Sequence, residues 1–121
     1  MVFNGGTIVT RPGGSHAAAI GVGCSTRNPD GYEPQFKRIE VNGGHLDLEQ
    51  SGSGSCIGAG SPAAFADGTN NIIQINGGAV DATGTGSGTA IGAPYNGSIS
   101  RIEINGGAVN AVGGTAATPP A

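Results

Sequence analysis

Several residue classes are scarce in this sequence, and each scarcity excludes something. The 121 residues carry only five Lys and Arg against eight Asp and Glu, a net charge of −3. No basic cluster interrupts that balance, so nothing advertises nucleic-acid binding. No apolar run approaches the ~20 residues that a membrane-spanning helix needs. Met1-Val2-Phe3 runs directly into an Asn-Gly-Gly triplet, without the basic and then apolar stretch of a signal peptide. The two cysteines, Cys24 and Cys56, are too few for a disulfide framework or a redox assignment. The phosphate-binding Gly-x-x-x-x-Gly-Lys loop and the dinucleotide fingerprint Gly-x-Gly-x-x-Gly are missing. So is the Gly-Gly-x-Gly-x-Asp run of calcium-binding nonapeptide repeats. No window carries a helical stripe.

What is abundant is glycine, with 25 Gly and 7 Pro. An aperiodic chain of that composition would suggest disorder, but these glycines recur in register. Asn-Gly-Gly begins at Asn4, Asn42, Asn76 and Asn105, at spacings of 38, 34 and 29 residues. Ile-Gly recurs at Ile20, Ile57 and Ile91, which follow the preceding Asn by 16, 15 and 15 residues. From Ile to the next Asn the distances are 22, 19 and 14, so the length variation sits just after Ile-Gly. Repeat proteins carry loop insertions in this way, on one edge of a stack.

Around each triplet the residues alternate apolar and polar, the period of a half-buried strand. Ile39, Ile73 and Ile102 are expected to face inward, as are Val41, Ile75 and Ile104, with Phe3 in the first copy. Beyond the triplet the inward columns are Ile8, Leu46, Val80 and Val109, then Thr10, Leu48, Ala82 and Ala111. Ile20, Ile57 and Ile91 supply a third wall. Glu40, Gln74 and Glu103 face out, as do Asp47, Asp81 and Asn110. The pattern predicts an all-β fold, a parallel β-solenoid of about three to four coils stacked at ~4.8 Å. The solenoid domain covers 1–114, and the Pro-rich 115–121 is a flexible tail. Paired glycines permit a sharp corner. Asn4, Asn42, Asn76 and Asn105 are expected to stack as an inward amide ladder, because buried amides need partners. The register starts inside a strand and runs out one strand into the fourth coil, which predicts a fragment of a longer solenoid or multidomain protein. Uncovered coil ends are open sheet edges, so flanking domains or self-association are expected there.

The recurring Ile-Asn-Gly-Gly-Ala-Val-Asp-Ala-Thr-Gly and Ala-Ile-Gly-Ala pattern, over 3–114, resembles repeats common in secreted and cell-surface bacterial proteins. Some of those are described as carbohydrate-binding domains and look like right-handed parallel β-helices, the broad architecture of pectate lyases. The resemblance implies right-handed coiling, an extracellular or cell-surface location and polysaccharide or glycan contact. Fold analogy by itself does not establish function.

The candidate site residues fall in two places. Asp47 and Asp81 are expected one coil apart, roughly 5 Å, a spacing that suits a shared calcium ion or a carboxylate pair. The neighbouring coils offer only Val9 and Asn110 in that column, so a plain solvated face explains the same residues. The insertions at 25–35, 61–71 and 94–98 each carry one aromatic, Tyr32, Phe65 and Tyr95, three of the five in the chain. An aromatic there either anchors its loop or stacks on a sugar ring. Asn96-Gly97-Ser98 matches a glycosylation sequon but also reads as a tight turn. His16 and His45 share no apparent partner, and two His with two dispersed Cys lack zinc spacing. Cys56 falls in a small-residue column with Ala19 and Ala90, and its offset of five positions from Cys24 does not suit a disulfide across adjacent coils. With enzyme motifs missing, a non-catalytic carbohydrate-binding or adhesive surface module is the expected function. A structural spacer or self-associating segment is the alternative, and a polysaccharide-degrading enzyme fragment stands third. No cofactor other than calcium is expected.

Overall fold

The computed structural model describes residues 1–11, 16–21, 37–60, 71–93 and 99–114. Among them the chain is all-β, without a helix. The strands are β1 (Val2–Phe3), β2 (Thr7–Thr10), β3 (Ile20–Gly21), β4 (Arg38–Val41), β5 (His45–Gln50) and β6 (Ile57–Gly58). They continue as β7 (Ile72–Ile75), β8 (Ala79–Gly84), β9 (Ile91–Gly92), β10 (Arg101–Ile104) and β11 (Ala108–Val112). Each strand pairs with the one three elements further on, giving three sheets in the orders β1-β4-β7-β10, β2-β5-β8-β11 and β3-β6-β9. Every pairing is parallel. These are called sheets A, B and C below, and each Asn-Gly-Gly copy with its flanking strands is a repeat.

The register follows the sequence alignment residue for residue. Ile39 pairs with Ile73 and Val41 with Ile75, while Ile73 and Ile75 pair in turn with Ile102 and Ile104. In sheet B, Leu46 lies between Ile8 and Val80, and Val80 meets Val109. Ile20, Ile57 and Ile91 align in sheet C. Alternation along β5 and β8 sends every second side chain into one shared core. Leu46, Leu48, Ile57, Val80 and Ala82 are buried there with Ile39, Val41, Ile73 and Ile75 of sheet A. Burying one such aliphatic side chain contributes roughly 1.5–3 kcal/mol.

Glycine decides where the chain turns and how closely repeats approach. The second glycine of each triplet has positive φ, between +85° and +89° at Gly6, Gly44, Gly78 and Gly107. A β-carbon at Gly44 would also lie 2.6 Å from the Gly6 carbonyl oxygen of the repeat before it. The corner therefore needs glycine for its own backbone and for its neighbour's.

Among the described residues three polar side chains are buried inside this frame, Gln50 and Asn71 on the inward parity of β5 and β7 and Ser55 just before β6. Gln50, at the end of β5, donates from Nε2 to the Ala17 carbonyl at 2.6 Å and accepts at Oε1 from the Gly52 N–H at 3.2 Å. The Ser55 hydroxyl lies 2.9 Å from Thr89 Oγ1, 2.8 Å from the Ala59 carbonyl and 2.9 Å from that of Gly92. Asn71 was expected at the end of an insertion loop; it is instead buried in the scaffold immediately before β7. Its Oδ1 accepts from the Ser100 backbone N–H and hydroxyl, both at 2.9 Å, while its own N–H donates to Ser100 Oγ at 3.3 Å. It thus joins the starts of β7 and β10, and the strand pairing explains why it is not part of a projecting loop.

Candidate binding surface

The asparagines of the four triplets form the ladder expected of them, but on the opposite face. Asn42 Nδ2 donates to Asn4 Oδ1 at 3.0 Å, Asn76 to Asn42 at 2.8 Å and Asn105 to Asn76 at 2.8 Å. The side chains point outward, with Asn4, Asn42 and Asn105 exposed and Asn76 half-buried. The reason is parity. Val41 and Ile75 end their strands facing the core, so the next residue must face solvent. Each amide carries two donors and two acceptor positions. An inner asparagine uses one donor and one acceptor position on its neighbours, leaving one of each directed to solvent.

Beside this row lies the outward column of sheet A. Arg38 and Glu40 approach to 3.7 Å within β4, and Arg101 and Glu103 to 3.1 Å within β10. Gln74 Nε2 donates to Glu103 Oε1 at 3.5 Å, and Asn105 Nδ2 reaches the same oxygen at 3.2 Å. Exposed pairs of this kind contribute little stability, on the order of 0–1 kcal/mol. Their effect is to hold a polar surface in fixed geometry next to the asparagines.

The outward column of sheet B holds the two candidate aspartates. Asp47 and Asp81 are register partners, with Asn110 and Val9 on either side, as the alignment expects. Each carboxylate faces a basic or imidazole side chain from the previous repeat. Arg11 Nη2 donates to Asp47 Oδ2 at 3.2 Å, and His45 Nε2 lies 3.1 Å from Asp81 Oδ2. These diagonal contacts were not foreseen. A cation would have to compete with Arg11 for Asp47. Among the described residues, no three His, Cys, Asp or Glu side chains cluster as a metal site. The surface of those residues forms no pocket. His16, the other histidine, meets the Ser53 hydroxyl through Nδ1.

Tyr32, Phe65 and Tyr95 lie outside the described residues, as does Cys24. Cys56 is a buried free thiol between Ala19 and Ala90, the small-residue column anticipated for it. Its Sγ lies 3.8 Å from the Leu48 carbonyl, and burial pushes the thiol pKa up from its ordinary value.

Comparison with known proteins returns no match to this chain, whether against family models, curated proteins or solved structures.

Proposed function

We propose that this chain is a right-handed parallel β-solenoid of three to four coils that acts as a non-catalytic carbohydrate-binding or adhesive module of an extracellular or cell-surface protein. The three parallel sheets and the single core support the solenoid; the handedness comes from the family resemblance alone. The asparagine ladder is the observation that carries the binding reading. It is a straight row of amides, each fixed by its neighbours at 2.8–3.0 Å, with donor and acceptor capacity left toward solvent. An extended polysaccharide offers hydroxyls in a similarly regular line, and a prearranged row spends little ordering entropy on binding.

A glycan array on size-checked protein, with and without calcium, tests this. Polysaccharide binding that is lost in Asn42→Ala/Asn76→Ala supports the ladder. A hit lost only in Tyr32→Ala/Tyr95→Ala moves the site to the insertion loops. A calcium-dependent hit on acidic polysaccharides moves it to Asp47 and Asp81. A folded protein with a clean array would sink the binding reading.

The second reading is a spacer or self-associating segment. It is favoured by apolar side chains left exposed on the outer repeats, among them Val2, Ile102, Ile104 and Val112.

A further inference from the structure

We propose that copies of this chain dock head to tail, with the outer edge of β1 and β2 of one copy seated on the outer edge of β10 and β11 of the next. The register is the one that joins repeats within the chain, placing Phe3 over Ile104 and Ile8 over Val109. This inference rests on the self-associating solenoid reading and is independent of glycan binding.

Gly5 gives the first reason. Its counterparts Gly43, Gly77 and Gly106 are glycines because a β-carbon there would lie 2.8, 2.7 and 2.7 Å from the carbonyl oxygen of Asn4, Asn42 and Asn76. Gly5 has nothing within 4 Å of that position. It is not among the positive-φ glycines either, unlike Gly6. Among the described residues, neither space nor backbone conformation calls for glycine at 5. An Asn carbonyl arriving on its open side would, and Asn105 presents one.

The ladder gives the second reason, since it has direction. Every rung donates from Nδ2 of the later asparagine to Oδ1 of the earlier one. Among the described residues, Asn4 Nδ2 has no amide acceptor and Asn105 Oδ1 has no amide donor. The two ends are complementary, so Asn4 of one copy continues the ladder of another by donating to Asn105. Two like ends would present donor to donor or acceptor to acceptor.

The apolar edges give the third. Ile102 and Ile104 are 44% and 54% exposed, although their register partners Ile73 and Ile75 are fully buried. On the opposite edge Phe3 and Ile8 are half-buried, against complete or near-complete burial for Val41 and Leu46. No strand among the described residues pairs with the outer edge of β1 or of β10. Docking covers both apolar rows and completes both ladders. Sheets A and B carry this junction; sheet C stops at β9, one repeat short. Because the two surfaces differ, the contact is heterologous and generates an open series of oligomers.

Sedimentation velocity on the 121-residue chain over a concentration series tests the docking. Wild type is expected to form a concentration-dependent series beyond the dimer. Gly5→Val blocks one edge at a position with open space, and Ile104→Lys blocks the other at an exposed position. Each variant alone is expected to be monomeric, while an equimolar mixture gives dimers and nothing larger, because each retains the edge the other lacks. A wild-type monomer with a β circular-dichroism spectrum overturns the docking and leaves the solenoid standing. Variants that associate like wild type, or a mixture that stays monomeric, overturn the head-to-tail arrangement. Val2→Cys mixed with Glu103→Cys, both in a Cys24→Ser background, checks the register. Stacked strands about 4.8 Å apart suit a disulfide. A mixture that associates without forming that crosslink overturns the register.

Discussion

The third repeat and the fourth use nearly the same residues around their triplets, yet the same positions behave differently. In sheet A, isoleucine at 73 and 75 is fully buried, whereas isoleucine at 102 and 104 is about half exposed. Ala82 is buried and its register partner Ala111 is exposed. Alternation has pointed all of these side chains to the same face. What differs is whether another repeat lies on top. Inward direction is thus local and written in the period of the strand, while burial is collective and supplied by the neighbour. Stability should accordingly be graded from the inner repeats outward.

The strongest test of that grading is at the Ile-Gly strands of sheet C. Gly58 and Gly92 share a positive φ, +131° and +130°. A β-carbon on Gly58 would fall on the carbonyl oxygen of Gly92, whereas one on Gly92 would meet only Ile102 Cδ1 at 3.4 Å. Alanine at either site carries backbone strain of about 1–3 kcal/mol. Only at 58 must backbone also move, so Gly58→Ala is expected to cost more than about 4 kcal/mol or to prevent folding. Gly92→Ala should cost the strain alone. Equal urea midpoints for the two would break the comparison.

Next comes the core itself. Ile75→Ala is expected to lose about 2–5 kcal/mol, the usual cost of emptying a buried aliphatic site. Ile104→Ala, its register partner, should stay within about 1 kcal/mol of wild type in dilute solution. Raising the protein concentration sharpens the contrast, because docking would bury Ile104 and increase the cost of losing it. Urea denaturation at two concentrations reads both effects.

The same distinction explains what could be read from the sequence. The inward columns, the corner glycines and the alignment of Cys56 with Ala19 and Ala90 all follow from a period of two and a fixed repeat, and the structure keeps them. The asparagine ladder was read with the right partners and the wrong face. The rule that buried amides need partners does not require partnered amides to be buried, and the inward Val41 already placed Asn42 outside. The His45–Asp81 and Arg11–Asp47 contacts are diagonal, two positions off register, and depend on how side chains lean across neighbouring strands. Composition carries no such signal. Gln50 ends β5 on the inward parity of Leu46 and Leu48, and Asn71 precedes β7 on that of Ile73 and Ile75. Alternation points both inward, and only their polarity argued against burial. Ser55 lies in the buried run 54–60, where alternation has nothing to say. Tyr32, Phe65 and Tyr95 fall outside the described residues.

A smaller effect is expected along the ladder. Asn76 bonds to an asparagine on each side, whereas Asn4 bonds to one. A hydrogen bond contributes about 0.5–1.5 kcal/mol net, toward the lower end where water can replace it. Asn76→Ala should therefore cost about 1 kcal/mol and Asn4→Ala roughly half of that. Equal losses in thermal melts would show that the rungs act independently of their place in the stack.

The smallest effect belongs to Cys56, and its sign can be worked out. Burial raises the folded-state thiol pKa above the ordinary 9.0, so the folded protein holds this proton more tightly than the unfolded chain. The stability this contributes is full below pH 9.0 and is lost as the pH rises through the folded-state value. Cys56→Ala should consequently flatten the alkaline side of the stability profile. The replacement is otherwise mild, because Ala19 and Ala90 already fill the same column in the neighbouring repeats. In a Cys24→Ser background the wild-type thiol should react with an alkylating reagent only as fast as the protein opens. Rapid labelling of the native protein at neutral pH would mean that the inner repeats open far more readily than their covered core implies.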